Sequence, residues 1–196
     1  MKLRFELLNP QIFDKAAKNV TFGYARGLTR TAQKAQEDVV EGLRDKFTLR
    51  GRWWEKGNKY GIKIKPATTR NLESAVYTRA NWLEIHEEGG TKEPSKSRYL
   101  SIPTENVRKN KKDIIRKARR PRNLKNSFVI RDGGQRLFMQ RVGKGRRSST
   151  RVMYVLDDRA KIEKKGTFLK ASEKSVEKNR DQIMRKSIDD ALRSTR

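Results

Sequence analysis

An α+β fold, with a mostly antiparallel sheet covered by long N-terminal and C-terminal helices, is predicted by three features of the chain. Apolar residues recur at helical spacing near the start, they do so again near the end, and the segments between them alternate apolar with polar side chains. After Asn9-Pro10, a helix start, Tyr24, Leu28, Ala32, Ala35, Val39, Leu43 and Phe47 recur at steps of three or four, which sets a long helix over 12–48 behind an N-terminal arm at 1–11. The opposite face carries Arg26, Arg30, Lys34, Glu37, Asp38, Glu41 and Arg44. Gly23, Gly27 and Gly42 each cost this helix up to about 1 kcal/mol relative to alanine, so their presence marks close packing. Residues 49–58 read as an exposed loop anchored by Trp53 and Trp54.

From Tyr60 the period falls to two. Ile62 and Ile64 alternate with Lys63 and Lys65, and Leu72, Ser74, Val76 and Thr78 alternate with Glu73, Ala75, Tyr77 and Arg79, placing strands and their turn in 60–104. Residues 81–88 read as a short helix or another strand, stopped by Gly89-Gly90, and Tyr99 to Ile102 is a short apolar piece closed by Pro103. Within the basic segment 108–151, Lys111 to Arg120 has helical spacing and Pro121 breaks it. Ser127 to Ile130 and Gln135 to Val142 are two strands of a hairpin turned at Asp132-Gly133-Gly134. Arg151 to Leu156 is a further strand, apolar on both faces and therefore covered. A C-terminal helix over 167–194 follows, with Thr167 as its cap and Leu169, Val176, Ile183, Ile188 and Leu192 as its stripe.

With 196 residues the chain is long enough for one domain with arms or two small ones, and a single domain over 1–196 is expected. Lys and Arg number 49 against 23 Asp and Glu, a net charge of +26. Leu, Ile, Val and Phe together number 42, about 21% of the chain, just above the roughly 20% at which a charged chain stays disordered. A free monomer would carry that charge as self-repulsion over a thin core. An anionic partner or a second subunit is therefore expected.

Absence of a run near the roughly 20 apolar residues of a membrane span and of an apolar leader after Met1-Lys2-Leu3-Arg4 predicts a protein made and kept in the cytoplasm, with no membrane partner. Zero cysteines exclude disulfides, thiolate metal sites and thiol nucleophiles. The single histidine, His86, sits among Glu84, Glu87 and Glu88, but a helical zinc site needs two histidines one turn apart, so no metal, cofactor or catalytic residue is expected. A nuclease built on Glu84, Asp113 or Asp132 with nearby lysines is the enzymatic rival. Val142-Gly143-Lys144-Gly145-Arg146-Arg147-Ser148-Ser149 lacks the order of a nucleotide-binding phosphate loop.

Charge is concentrated rather than spread, since residues 108–151 hold 17 Lys and Arg but only 2 acidic residues. Arg116, Lys117, Arg119 and Arg120, with the loop cations Lys144, Arg146 and Arg147, are the candidates for facing DNA. No set of aromatics interleaves them, as single-strand binders require, so the backbone of double-stranded DNA fits better. Leu28, Trp53, Trp54, Trp82 and Ile183 are the candidate core or subunit-interface anchors.

Three stretches carry a family resemblance. Ala25-Arg26-Gly27-Leu28-Thr29-Arg30-Thr31-Ala32 resembles an Ala-Leu-Asn-Arg-Thr-Ala helix, with Gly27 and Thr29 as departures. Leu83 to Thr91, followed by Tyr99-Leu100-Ser101-Ile102-Pro103, is similar to an acidic-Gly-Thr turn and a later aromatic-Leu-x-x-Pro segment, with one extra glycine. Gly134 to Arg146 resembles a strand ending in Arg-Val-Gly-Lys, the most specific of the three, although Ser148-Ser149 replaces the usual Pro-Ile. Together, over most of residues 12–192, they resemble the tailed-phage minor tail protein Z family and, more loosely, other neck and tail-completion proteins.

That resemblance implies a non-catalytic virion protein forming a homo-oligomeric ring, expected to be hexameric, at the head-proximal end of the tail. Its partners there would be the tail terminator and the head connector, and its channel would face DNA. The alternative is a non-catalytic, sequence-independent nucleic-acid-binding protein, which the composition supports equally.

Overall fold

The computed structural model describes residues 10–143, 145 and 148–194. In chain order its elements are α1 (Pro10–Lys46), β1 (Lys63–Lys65), β2 (Ala75–Tyr77), α2 (Glu84–Glu88), β3 (Gly90–Lys92), β4 (Leu100–Pro103), β5 (Ser127–Asp132), β6 (Gln135–Val142), β7 (Ser149–Asp157), β8 (Ala160–Ile162) and α3 (Phe168–Arg193). This is an α+β fold with two long helices, and every strand pairing is antiparallel. Helix α1 begins at Pro10, inside the stretch read as an arm, because a first-turn proline gives up only an amide that has no intrahelical partner. Two compact units result: the two long helices with Arg52–Asn81, and Thr48–Gly51 with Trp82–Lys165.

In the first unit α1 and α3 run antiparallel, Gly42 lying against Ala171 and Thr167 and Gly23 against Ile188 and Ala191. A Cβ on Gly23 would stand 2.8 Å from the Ile188 Cα and 3.0 Å from the Ser187 carbonyl oxygen, and one on Gly27 would collide with the Met184 sulfur. The glycines thus bring the helix backbones together, as their cost to the helix suggested.

The same seam corrects the predicted α3 stripe and the start of the α1 stripe, at Tyr24 and Leu28. In the N-terminal half of α1 the buried residues are Gly23, Ala25, Gly27, Thr31 and Ala32, whereas Tyr24 is 42% exposed and Leu28 only half-buried. Farther along, Ala35, Val39 and Leu43 are buried as expected. On α3 the buried residues are Ser175, Ser187 and Ala191, while Leu169 is 58% exposed, Leu192 39% exposed, and Val176, Ile183 and Ile188 half-buried. Backbone-to-backbone approach admits only small side chains, so the bulky ones are pushed beside the seam. Two of its buried polar groups are paired within it: Thr31 Oγ1 donates to the Gly27 carbonyl at 2.9 Å, and Arg30 donates to Ser187 Oγ at 3.3 Å.

Strands β1 and β2 pair with Ile64 opposite Val76 and are shorter than the alternation implied. They are tied to α1 by the buried Gln36 amide, which donates to the Ile62 carbonyl, and by the Ala67 N–H, which donates to Thr29 Oγ1 at 3.0 Å.

The second unit holds a four-stranded sheet in the order β4-β7-β6-β5. The β5–β6 turn uses Gly133 and Gly134 at φ 54° and 84°, the left-handed conformations that a tight hairpin demands. Phe138 opposes Tyr154 but Met139 opposes Val152, so Met153 is an extra residue in β7. This bulge turns Met153 to the same side as Tyr154, and both join Val107 and Leu124 in the buried core, with Ile115, Phe138 and Leu156 packed around them. Strict alternation along a strand would place Met153 and Tyr154 on opposite faces, and the extra residue is why they share one.

Residues 81–88 resolve as a 3-10 turn leading into α2. The pairing of β3 with β8 was not foreseen, because Gly90-Thr91-Lys92 and Ala160-Lys161-Ile162 are too short and exposed to show a pattern. Lys111 to Arg120 is not an α-helix. Asn110 Oδ1 accepts the backbone amides of Lys112 and Ile114 at 3.0 and 2.9 Å, and Asp113 adopts φ 56°, so a side-chain-closed turn replaces helical hydrogen bonding. No helix among the described residues is long and apolar enough to cross a membrane.

The seam predicts opposite outcomes for two alanines. Gly23→Ala gains about 1 kcal/mol of helix propensity but overpacks a backbone contact at a cost of about 1–3 kcal/mol, so it lowers the melting temperature. Gly42→Ala, whose Cβ would meet Ala171 at an ordinary 3.6 Å, raises stability by about 1 kcal/mol. Thermal melts of the two variants check both signs.

Candidate nucleic-acid interface

Residues 108–125 present their cations on a backbone that is held from beneath. Val107 and Leu124, both buried, pin the two ends. Between them two 3-10 turns, Lys117–Arg119 and Pro121–Asn123, each follow an extended residue, Arg116 at φ −60°, ψ 147° and Arg120 at φ −70°, ψ 149°. Pro121 enforces the second break, since its ring disfavours a helical conformation at the residue before it. Asn123 Nδ2 donates to the Lys117 carbonyl at 2.9 Å, and the Tyr154 hydroxyl, rising from the core, donates to the Arg119 carbonyl at 2.6 Å. Burial pushes the Tyr154 phenol above its ordinary range, so it remains a donor at neutral pH.

Of the candidates for facing DNA, Arg116, Lys117 and Arg120 are exposed, and Arg119 is half-buried above Tyr154. Lys144, Arg146 and Arg147 lie outside the described residues. Arg122 and Lys125 are further exposed cations of the same segment. None of Arg116, Lys117, Arg120, Arg122 and Lys125 forms an ion pair among the described residues. The nearest acid in sequence, Asp113, is occupied: Lys109 bonds it at 2.9 Å and Arg50 also pairs with it, holding its carboxyl below the usual range. Residues 116–125 therefore offer ordered cations with no ion pair among the described residues, a surface suited to phosphates along a backbone.

The sheet's arginines are differently placed. Arg136 lies 4.5 Å from the Tyr99 ring and pairs with Asp158 at 3.5 Å, and Arg141 lies 5.1 Å from the Phe128 ring. Guanidinium groups thus lie over the Tyr99 and Phe128 rings, faces on which bases could otherwise stack.

The acid–base candidates are scattered. Glu84 and Asp132 are exposed, Asp113 is ion-paired, and no group of three or more His, Cys, Asp or Glu able to hold a metal ion occurs among the described residues. His86, on α2, is half-buried; burial first, then Lys165 and Lys92, push its imidazole below the ordinary histidine range.

The interface candidates are divided between the units. In the first, Leu28, Trp53, Trp54 and Ile183 are half-buried, and the Arg44 guanidinium lies 4.5 Å over the Trp54 ring. In the second, Trp82 is 46% exposed. Sequence reasoning missed Tyr154, Asn110 and Asn123, whose role is to set the backbone that carries the cations. Only Asn110, ahead of Lys111-Lys112-Asp113, left a signal, that of a turn-forming side chain.

Tyr154→Phe removes one hydrogen bond and leaves the Arg119 carbonyl unpaired, so it costs about 1 kcal/mol and speeds amide exchange across residues 116–124, measurable by mass spectrometry. For His86, the depressed folded-state pKa means the unfolded chain binds the proton more readily. Folding stability therefore falls as pH drops from about 7 through the ordinary histidine range, and His86→Gln flattens that part of a melting-temperature–pH curve. Comparison of the chain with protein-family models, curated proteins and solved structures gives no match.

Proposed function

We propose that the chain is a non-catalytic structural protein of a phage virion, a tail-completion ring at the head-proximal end of the tail that joins tail to head and passes double-stranded DNA through its channel. Tail terminator and head connector are its neighbours in this reading. The observation that carries it is the cation-bearing segment at residues 108–125, ordered by Tyr154 and Asn123, in which Arg116, Lys117, Arg120, Arg122 and Lys125 have no ion pair among the described residues. Several subunits around one duplex would each contribute this segment, and each phosphate they neutralise releases counter-ions. Shared burial supports the same reading, since the second unit's sheet packs on a small cluster of Val107, Leu124, Met153 and Tyr154 while Phe22, Leu169 and Val129 are left exposed. The three stretches that resemble the minor tail protein Z family supply the location.

A second reading, a sequence-independent nucleic-acid-binding protein, is favoured by the same segment, because its order needs no partner chain. Assembly separates the two: the ring forms a defined oligomer that adds to tails, whereas the free binder engages DNA as a monomer or dimer.

Titrating the protein with duplex DNA between about 50 and 200 mM salt tests the phosphate contact. Affinity falls steeply with salt, and replacing Arg116, Lys117 and Arg120 by serine flattens the log–log slope by up to about 2.7, near 0.9 per lost contact, with the cooperative melt retained. An affinity indifferent to salt would overturn the proposed role.

A further inference from the structure

One groove on this cationic chain has the opposite character. It runs along the C-terminal half of α1, encloses about 500 Å³, and has an apolar floor of Val40, the buried Ile62 and the Trp54 ring. Its rim carries Glu37, Glu41 and Glu55. Arg52 takes Glu55 at 2.6 Å, and Lys34, the nearest lysine on the same helix, is paired with Asp38 at 2.8 Å. Glu37 and Glu41, both exposed and one helical turn apart, have no ion pair among the described residues. Of the cations in the lining, Arg44 is laid over the Trp54 ring and Lys56 is exposed at the edge. The groove is stiff, because the Gln36 amide and the Trp54 carbonyl bind the two polar groups of the Ile62 backbone.

The second unit bears a projection of complementary charge. Lys109 bridges to Ile115 and closes a turn whose corner is Lys111-Lys112, both exposed. Asn110 Oδ1 holds the amides of Lys112 and Ile114, the Asp113 N–H donates to the Asn110 carbonyl at 2.9 Å, and Arg50 and Lys109 clamp the Asp113 carboxylate. Such a tip loses little conformational freedom on docking.

We infer that the groove of one copy receives the Lys111-Lys112 turn of a second copy, the ammonium groups pairing with Glu37 and Glu41 while the lysine stems lie on Val40. Because groove and tip are different patches, the contact is head-to-tail, the kind that closes into rings when its rotation permits. It also sets two of the chain's scarce carboxylates against cations of a neighbour in a molecule of net charge +26. The inference rests on the ring assembly proposed above and names the contact that builds it.

Charge exchange tests it. Glu37→Lys with Glu41→Lys makes the groove basic, and Lys111→Glu with Lys112→Glu makes the tip acidic; all four positions are exposed, so cooperative melts are retained. Mass photometry of the full chain is expected to show an oligomer for the wild type, and for each variant alone at least a tenfold rise in the concentration needed to assemble. An equimolar mixture recovers assembly in even-numbered rings, because each variant's groove then meets a tip of opposite sign. Should either reversal melt non-cooperatively, the neutral exchanges Glu37→Gln with Glu41→Gln and Lys111→Ser with Lys112→Ser are expected to weaken assembly in the same direction. Variants that assemble like the wild type, or a mixture that fails to recover, overturn this contact and leave the ring standing. A wild type that is monomeric at every concentration overturns the ring and the contact with it.

Discussion

Glycine at positions 23 and 27 is the constraint from which the first unit follows. With no side chain at these two points, α1 and α3 meet backbone against backbone. Dispersion is gained over many close atom pairs instead of a few large side chains. The choice has a consequence for the surface, because a seam of glycine, alanine and serine leaves no room for Tyr24 or Leu192, which stand outside it. A chain with few large apolar residues thereby builds a long helical pair and still retains apolar side chains for contacts beyond itself.

The second unit solves a different problem with equally modest means. Its core is small, but Met153, the extra residue of β7, adds a second buried side chain next to Tyr154, and the Tyr154 hydroxyl reaches past the core to an arginine carbonyl. One buried group thus connects packing to the outer segment. Arg116, Lys117 and Arg120 repel one another, and what keeps them in place is the backbone to which they are attached: two short 3-10 turns, a proline and two side-chain amides. Order of this kind lowers the entropy cost of meeting a regular array of phosphates.

Charge links the two units to the proposed role. Concentrating cations in one segment raises the local potential far more than spreading them would, and a polyanion in the channel proposed above would relieve the repulsion. The acidic groove on α1 offers a second route to relief, between copies. In both proposals the net charge of +26, a burden for a lone folded chain, would favour assembly.

By itself the sequence determined the element types wherever a period ran long enough. The two helices, the strand at Gln135–Val142, the hairpin at Asp132-Gly133 and the concentration of cations in residues 108–151 were all legible from it. So were Arg116, Lys117 and Arg120 as exposed cations. Only the tertiary structure decided that small residues such as Gly23, Gly27 and Ser187 close the helix seam while Tyr24, Leu169 and Leu192 stay exposed, that 111–120 is a pair of turns, that β3 meets β8, and that Tyr154 holds the cationic segment. The reason is physical: periodicity records where apolar side chains recur, whereas these outcomes depend on how closely two backbones approach and on single hydrogen bonds between residues far apart in the chain, and neither leaves a periodic trace.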